Sequence, residues 1–424
     1  MKKIKKMLLI LLSIVLVIEL AMPTMKSEAK NKNITIEEYI QKLVVATKIK
    51  VDNTVENPYL SAAIAEGLVK DGEYKDYSVN IKREDAALLT NRADEILHGK
   101  TYNEDLYHQV KNKKRIKDLN KVSASKRDAV IKVFEKGIIV GDYDGIFTHD
   151  RTFRGKDNLN SSEASTILVR LTNKKKRRKI SADGQVIRTT NLPKNYRSYE
   201  YILAAFPNSF YEMKMDWQIG TYFHNDGSKR KPVEYKDYVR PVNIKKEKFI
   251  TGAHLDKYNM EDILNASLDR WVNKVKTNLE TRLNVDYRTV GTKWINKLRG
   301  TYFIFDSGYP DDAFQNKRKT DDIKEYIKAM KKNKVIIKSS IVSVEPSTLY
   351  EGSNYYIRAC IQFKIISAKN IKNQDDLIFG NHIYIKNLKK KKWTRMYVDI
   401  GVGTSNGSSL GEDYAVFDDE IISR

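Results

Sequence analysis

Residues 130–171 read VIKVFEKGIIVGDYDGIFTHDRTFRGKDNLNSSEASTILVRL. This stretch decides the reading of the N-terminal part, because residues 60–93 carry the same order of features with changes. In each copy a short apolar helix runs into a glycine, then into an Asp-Gly-x-aromatic turn, then into a second helix. Leu60, Ala63, Ile64, Gly67 and Leu68 match Val130, Val133, Phe134, Gly137 and Ile138, which is helical spacing on one face, twice over. The turns are Asp71-Gly72-Glu73-Tyr74 and Asp144-Gly145-Ile146-Phe147, where glycine supplies a positive φ and the aromatic ring is expected to return to the core. Second helices are predicted to start at Lys82-Arg83-Glu84-Asp85 and at Asn160-Ser161-Ser162-Glu163, and a third such start, Ile34-Thr35-Ile36-Glu37-Glu38, precedes both.

These linked motifs resemble the S-layer homology family, the modules that hold bacterial surface proteins on the cell wall. Residues 81–87 are similar to the family's Ile-Thr-Arg-Ala-Glu helix start, and residues 141–147 to its Gly-Tyr-x-Asp-Gly-x-Phe turn. The likeness spans residues 34–172. It implies that the three helix starts pack together and that grooves between them bind an anionic, often pyruvylated, secondary wall polysaccharide. A helix start presents unpaired N–H groups and the positive end of the helix dipole, and an arginine beside it adds a planar cationic fork suited to a carboxylate. Arg83 stands at that position, so the expected polysaccharide-binding residues are Arg83, Lys82, Asp71, Gly72, Gly141, Asp144 and Gly145. The arginine position reads Ile36 in the first start and Ser161 in the third, and the first turn lacks the Gly-Tyr element. With these elements missing two readings stay open: a composite groove that combines Arg83 with the turn at Gly141 to Gly145, or repeats kept as a packing scaffold with lost or altered affinity.

Lys2, Lys3, Lys5 and Lys6 precede an apolar run over residues 7–22 broken only by Glu19, and Ser27-Glu28-Ala29 offers the small residues a signal peptidase reads. The pattern predicts a signal peptide over residues 1–29 and a secreted mature chain from near Lys30. The competing reading, a membrane anchor, needs about 18 uncharged apolar residues, more than this run provides. Cys360 is the only cysteine, so the fold rests on its hydrophobic core without an intrachain disulfide. Lys plus Arg number 77 against 54 Asp plus Glu, a formal net charge of +23. Such a surface attracts polyanions by a salt-screened field. For an exported chain that means anionic wall polymer rather than nucleic acid, although a basic composition is also compatible with no polyanion ligand.

Residues 30–172 form the repeat region, and the like-charged block at residues 173–179 opens a basic linker over residues 173–183. Residues 184–255, rich in tyrosine and broken by prolines, suggest short strands, with a hairpin at residues 222–227. Residues 256–424 read as an α+β domain. Met260, Ile263, Leu264, Leu268, Trp271, Val272, Val275 and Leu279 mark one face of a helix, and further helices are expected at residues 289–298 and 321–331. Ile357, Ala359, Ile361, Phe363 and Ile365 alternate with polar residues, the period of a strand with one buried face; similar runs occupy residues 335–344, 377–385 and 393–398. The fold class is therefore α+β: mostly helical repeats followed by helices on an antiparallel sheet, shaped in the manner of cystatin-like folds.

No active site is legible. The six histidines show no metal-binding spacing, and Cys360 sits inside an alternating strand, where an inert side chain is expected. The paired aspartates lie at turn signals, and residues 401–411 read as a flexible loop. No cofactor or metal is expected. The sequence thus predicts a non-enzymatic surface protein of a bacterium, held on secondary wall polysaccharide, with other surface proteins as further partners. Two alternatives are a wall-glycan-modifying enzyme with a cryptic carboxylate pair and an adhesion or assembly module. The tyrosines and tryptophans after the linker suit either half-buried strands or sugar stacking.

Overall fold

The computed structural model describes residues 32–143, 145–213, 219–220, 233–234, 240–241, 260–305, 308–351, 355–374, 376–380, 385, 388–403 and 415–416. The expected signal peptide and the expected hairpin at residues 222–227 lie outside them. The chain divides into two units, Met1–Asp144 with His149–Ile187, and Gly145–Thr148 with Arg188–Arg424. Helices and antiparallel strands make it an α+β protein. No helix among the described residues is long and apolar enough to cross a membrane.

In the first unit the helices are α1 (Ile36–Thr47), α2 (Pro58–Ala65), α3 (Arg83–His98), α4 (Glu104–Asn112), α5 (Arg127–Glu135) and α6 (Ser161–Thr172). The segments leading into α1, α3 and α6 close on one another. Ile34 N–H donates to Leu159 O (3.1 Å), Leu159 N–H to Ile81 O (2.9 Å), and Ile81 N–H to Ile34 O (3.0 Å). A second cycle joins the first helical residues: Ile36 N–H to Val79 O (3.0 Å), Arg83 N–H to Asp157 O (2.9 Å) and Ser161 N–H to Lys32 O (2.9 Å). Three short segments, each too brief for a ladder, thereby satisfy one another's backbone groups. Reciprocal capping boxes complete two of the starts, Thr35 with Glu38 and Asn160 with Glu163. Beneath the ring, Tyr39, Leu43, Ala86, Leu89, Ala164 and Leu171 are buried, and the Tyr39 hydroxyl pairs with Thr90 Oγ1 (2.7 Å).

The matched glycines end α2 and α5 alike. Gly67 (φ 72°) and Gly137 (φ 68°) each follow a helix whose carbonyl at Ala63 or Val133 accepts two N–H groups, from Leu68 and Val69 or from Ile138 and Ile139. A Cβ on Gly137 would lie 1.9 Å from Arg178 O, because the segment expected as a linker runs against this turn. Arg178 N–H bonds Gly137 O (2.9 Å), Arg177 binds Asp94 and the carbonyl of Arg170, and the nearby Asp183 pairs with Arg115 (2.8 Å). Residues 173–183 thus belong to the first unit. Within the segment Arg177 is answered by Asp94, 83 residues away, a partner the local charge rule does not see, while Lys174, Lys175 and Lys176 stay exposed.

In the second unit strands β6 (Val285–Asp286), β7 (Ile336–Val344), β9 (Tyr355–Ser367), β10 (Trp393–Gly403) and β11 (Ala415–Val416) form an antiparallel sheet in the order β11-β10-β9-β7-β6, with β8 (Tyr350–Glu351) on β9. Strands β1 (Asp142–Tyr143) and β2 (Arg151–Thr152) pair in the first unit, and β3 (Ile219–Gly220) pairs with β4 (Val233–Glu234), while β5 (Arg240–Pro241) pairs with β8. Helix α7 (Asn208–Glu212) is short; α8 (Met260–Arg282), α9 (Thr292–Arg299) and α10 (Asp312–Lys332) join one face of the sheet in a common core. Trp271, Val275 and Leu279 of α8 pack with Ile357, Ile361 and Phe363 of β9 and with Val398 and Ile400 of β10. The third expected helix begins nine residues earlier than its apolar spacing announces, since the first turns of α10 expose Phe314 and carry few buried side chains.

Three further expectations are corrected. β9 does not have a single buried face: Cys360 packs with Phe147, Phe206 and Phe210, and Arg358 is buried on Asp399 (2.8 Å). Residues 377–385 do not read as a strand where described. Leu377 O instead accepts the Tyr326 hydroxyl (2.9 Å), and the Gln374 side chain bonds both backbone groups of Ile385, so side chains replace the ladder. Of the segment expected as short strands, residues 184–255, β3, β4 and β5 are strands, whereas residues 188–213 contain α7 and irregular backbone. The Tyr211 hydroxyl accepts from Leu203 N–H (2.9 Å) and the Tyr199 hydroxyl donates to Tyr211 O (2.7 Å), so these phenols crosslink a loop interrupted by Pro193 and Pro207.

Candidate functional site

Arg83 is the first residue of α3, where the backbone cycle fixes its Cα and sends its side chain toward α6. Its Nε donates to Phe153 O (2.9 Å), its Nη1 to Glu163 Oε1 (2.6 Å), and its guanidinium lies 5.6 Å from the Phe153 ring centroid. The residue is only 5% exposed. Burial lowers its pKa from the usual arginine value, and the nearby Glu163 carboxylate opposes that shift. The fork expected to meet a ligand carboxylate therefore meets one belonging to the protein. Arg154 reinforces the clasp, reaching Glu163 Oε1 (2.9 Å) and Asp142 (2.9 Å).

The other expected binding residues divide between places. Lys82 is exposed and its Nζ donates to Asn158 Oδ1 (2.8 Å). Gly141 (φ 63°) is a position of close approach, since a Cβ there would meet Thr152 O at 2.6 Å, and its neighbour Asp142 is linked through Arg154 to Glu163 and so to Arg83. Asp71 and Gly72 form an exposed turn held through Glu73, which Arg92 grips at 2.6 and 2.8 Å. Asp144 lies outside the described residues. Gly145 belongs to the second unit, where Phe147 is buried against Phe206 and Phe210. Phe147 thus returns to a core, but to that of the second unit.

The three-way arrangement gives each start a neighbour. Arg83 at the first position of α3 faces Glu163 at the third position of α6. By the same cycle Ser161 at the first position of α6 corresponds to Glu38 at the third position of α1. No arginine fills that second position, and an open groove of about 670 Å³ lies there, bordered by Lys32, Glu38, Gln41, Lys42, Ser161 and Leu168. Lys32 Nζ is 3.9 Å from Glu38 Oε1, and both side chains are substantially exposed. The third position couples Ile36 to Asp85, whose carboxylate is taken by Lys126 (2.7 Å). A small hollow of about 90 Å³ is lined by Glu37, Gln41, Asn57, Tyr59 and Tyr77. Lys32 and Lys42, which border this groove, lie outside the residues that the arginine position and the turns single out in the sequence.

Beside the Arg83 clasp, Glu84 accepts from Ser123 N–H (3.0 Å), Ser123 Oγ (2.8 Å), Lys126 (3.1 Å) and Lys156 (2.8 Å). Its burial alone would raise the pKa, but the bonds from Lys156, Ser123 and Lys126 outweigh it and hold the carboxyl down to about 2. In the second unit burial pushes the Cys360 thiol up to about 12, far from the range of a nucleophilic thiolate. Among the described residues no three His, Cys, Asp or Glu side chains gather as metal ligands would. The chain matches no known family model and no curated protein.

Proposed function

We propose that the first unit is an S-layer-homology-like module that holds a secreted bacterial protein on anionic, pyruvylated secondary wall polysaccharide, and that the second unit is a cystatin-like α+β domain displayed at the cell surface. The observation that carries this reading is the trio of helix starts closed by two hydrogen-bond cycles, with one inter-helix groove left open beside Lys32 and Lys42. In this reading Arg83 and Glu163 brace the module, while the ammonium groups of Lys32 and Lys42 and the hydroxyl of Ser161 meet the polymer's carboxylates. The export signal and the positive net charge are consistent with it.

The test is co-sedimentation of the chain from Lys30 onward with wall sacculi, before and after removal of the secondary polysaccharide. Pelleting should depend on the polysaccharide, and Lys32→Gln with Lys42→Gln should weaken it by roughly tenfold, the scale of one charge-assisted hydrogen bond. Pelleting that survives removal of the polysaccharide would overturn the proposal.

A further inference from the structure

The sheet face turned away from α8–α10 is only partly covered. Cys360, Ile341 and Tyr397 pack under Phe147, Phe206 and Phe210, whereas nearer the β9–β10 connection Lys338, Trp393 and Arg395 are exposed and Lys364 is half-buried. There the register brings three strands into one row, with Lys338 of β7 opposite Lys364 of β9 and Lys364 opposite Trp393 of β10. Lys364 Nζ stands 4.5 Å from the Trp393 ring centroid, and Trp393 is 48% exposed. In the next row Arg395 Nε donates to Gln362 Oε1 (2.7 Å) and Gln362 Nε2 to Ser340 Oγ (2.9 Å). The residues just before β10 add Lys389, Lys391 and Lys392, all exposed.

Two lysines directly opposite each other across a strand pair are destabilising, and natural sheets place opposite charges there. Here no carboxylate among the described residues forms an ion pair with Lys338, Lys364 or Arg395; the unit's described ion pairs engage Lys276, Arg288, Lys317, Lys324, Lys328 and Arg358 instead. Asp286, whose carboxylate also feels Lys338, is gripped by Arg288 (2.8 Å). The row thus sets two cations on neighbouring strands, whose backbones lie about 4.8 Å apart, with no ion pair to either among the described residues and one exposed indole beside them.

We propose that this strip is a second binding surface, for a flexible polyanion built of polyol or sugar units joined by phosphodiesters. Lysine ammonium groups act as point charges and accept a phosphate from many directions, without the planar match a carboxylate finds in arginine. The indole offers its free face to a sugar or polyol unit, and its other face steadies Lys364. The choice of a wall polymer over nucleic acid rests on the export reading given above.

The experiment uses the chain from Lys30 onward and purified, fluorescently labelled poly(glycerol phosphate), with affinity read by anisotropy over a salt series. Lys338→Gln with Lys364→Gln should weaken binding roughly tenfold at low salt and flatten the slope of log affinity against log salt by about 1.4, two charges at the value for single strands. Trp393→Leu should cost roughly fivefold or more by analogy with base stacking. All three positions are surface sites, and circular dichroism verifies that the variants fold. Unchanged binding by these variants would overturn the proposal, and single-stranded DNA binding as tightly with the same dependence would overturn the choice of polymer. Lys32→Gln with Lys42→Gln should leave this binding intact, so failure of the groove in the first unit and failure of this strip are distinguishable.

Discussion

Replacing Arg83 with methionine separates bracing from ligand binding. The substitution removes the donor to Phe153 O, leaving a carbonyl without that partner at a cost of about 1–3 kcal/mol. It also removes a charge-assisted bond to Glu163, partly offset because Arg154 still holds the same carboxylate oxygen. The methionine retains much of the apolar contact with the Phe153 ring, so the net loss should be about 2–4 kcal/mol. All four tryptophans, Trp217, Trp271, Trp294 and Trp393, fall in the second unit, so tryptophan fluorescence follows that unit while far-ultraviolet circular dichroism follows both. The part of the dichroism transition without a fluorescence counterpart should move down by roughly 1–2 M urea in Arg83→Met. The fluorescence transition should stay in place. Binding to sacculi, measured where the variant is folded, should persist. An unmoved dichroism transition together with lost sacculus binding would refute the argument, because it would mean that Arg83 serves a ligand and its contact with Glu163 is incidental.

Burial pushes Glu135 up to about 7, against the opposing charge of Lys136. The folded state then holds a proton that the unfolded chain releases from about pH 4.5, so stability falls as pH rises from about 4.5 to 7, and Glu135→Gln should recover about 1–3 kcal/mol, in full only above pH 7; an equal effect at pH 4 and pH 8 in urea titrations would count against it. Glu84, held down to about 2, acts oppositely. Its contribution is present above about pH 4.5 and lost as pH falls toward 2, and Glu84→Gln should flatten the acid limb of the same titration. Gly67→Ala and Gly137→Ala both force alanine to positive φ, which costs about 1 kcal/mol. Only Gly137→Ala also drives a Cβ onto Arg178 O, so its loss in thermal unfolding should be clearly the larger, and equal losses would mean that residues 173–187 do not dock there.

What was legible in the sequence was whatever short-range periodicity determines. The glycines matched between the two copies end helices with the same bonds because positive φ is a local demand that few residues meet. The alternation in residues 357–365 found β9, and the spacing on α8 found its buried stripe, because one-sided burial writes itself into periods of two and 3.6. The rest depended on partners far away in the chain. Arg83 looks like a ligand-binding arginine in any window around it, and only the fold brings it to Glu163, 80 residues away. The polar alternates of β9 look solvent-facing until Asp399 answers Arg358 and Phe147 answers Cys360. The same logic runs the other way at Ser161 and at Lys338 opposite Lys364. A helix start without its cation leaves open volume, and a strand pair without its carboxylates leaves open charge. In both places what the fold leaves unanswered within the described residues is a physical reason to look for a ligand.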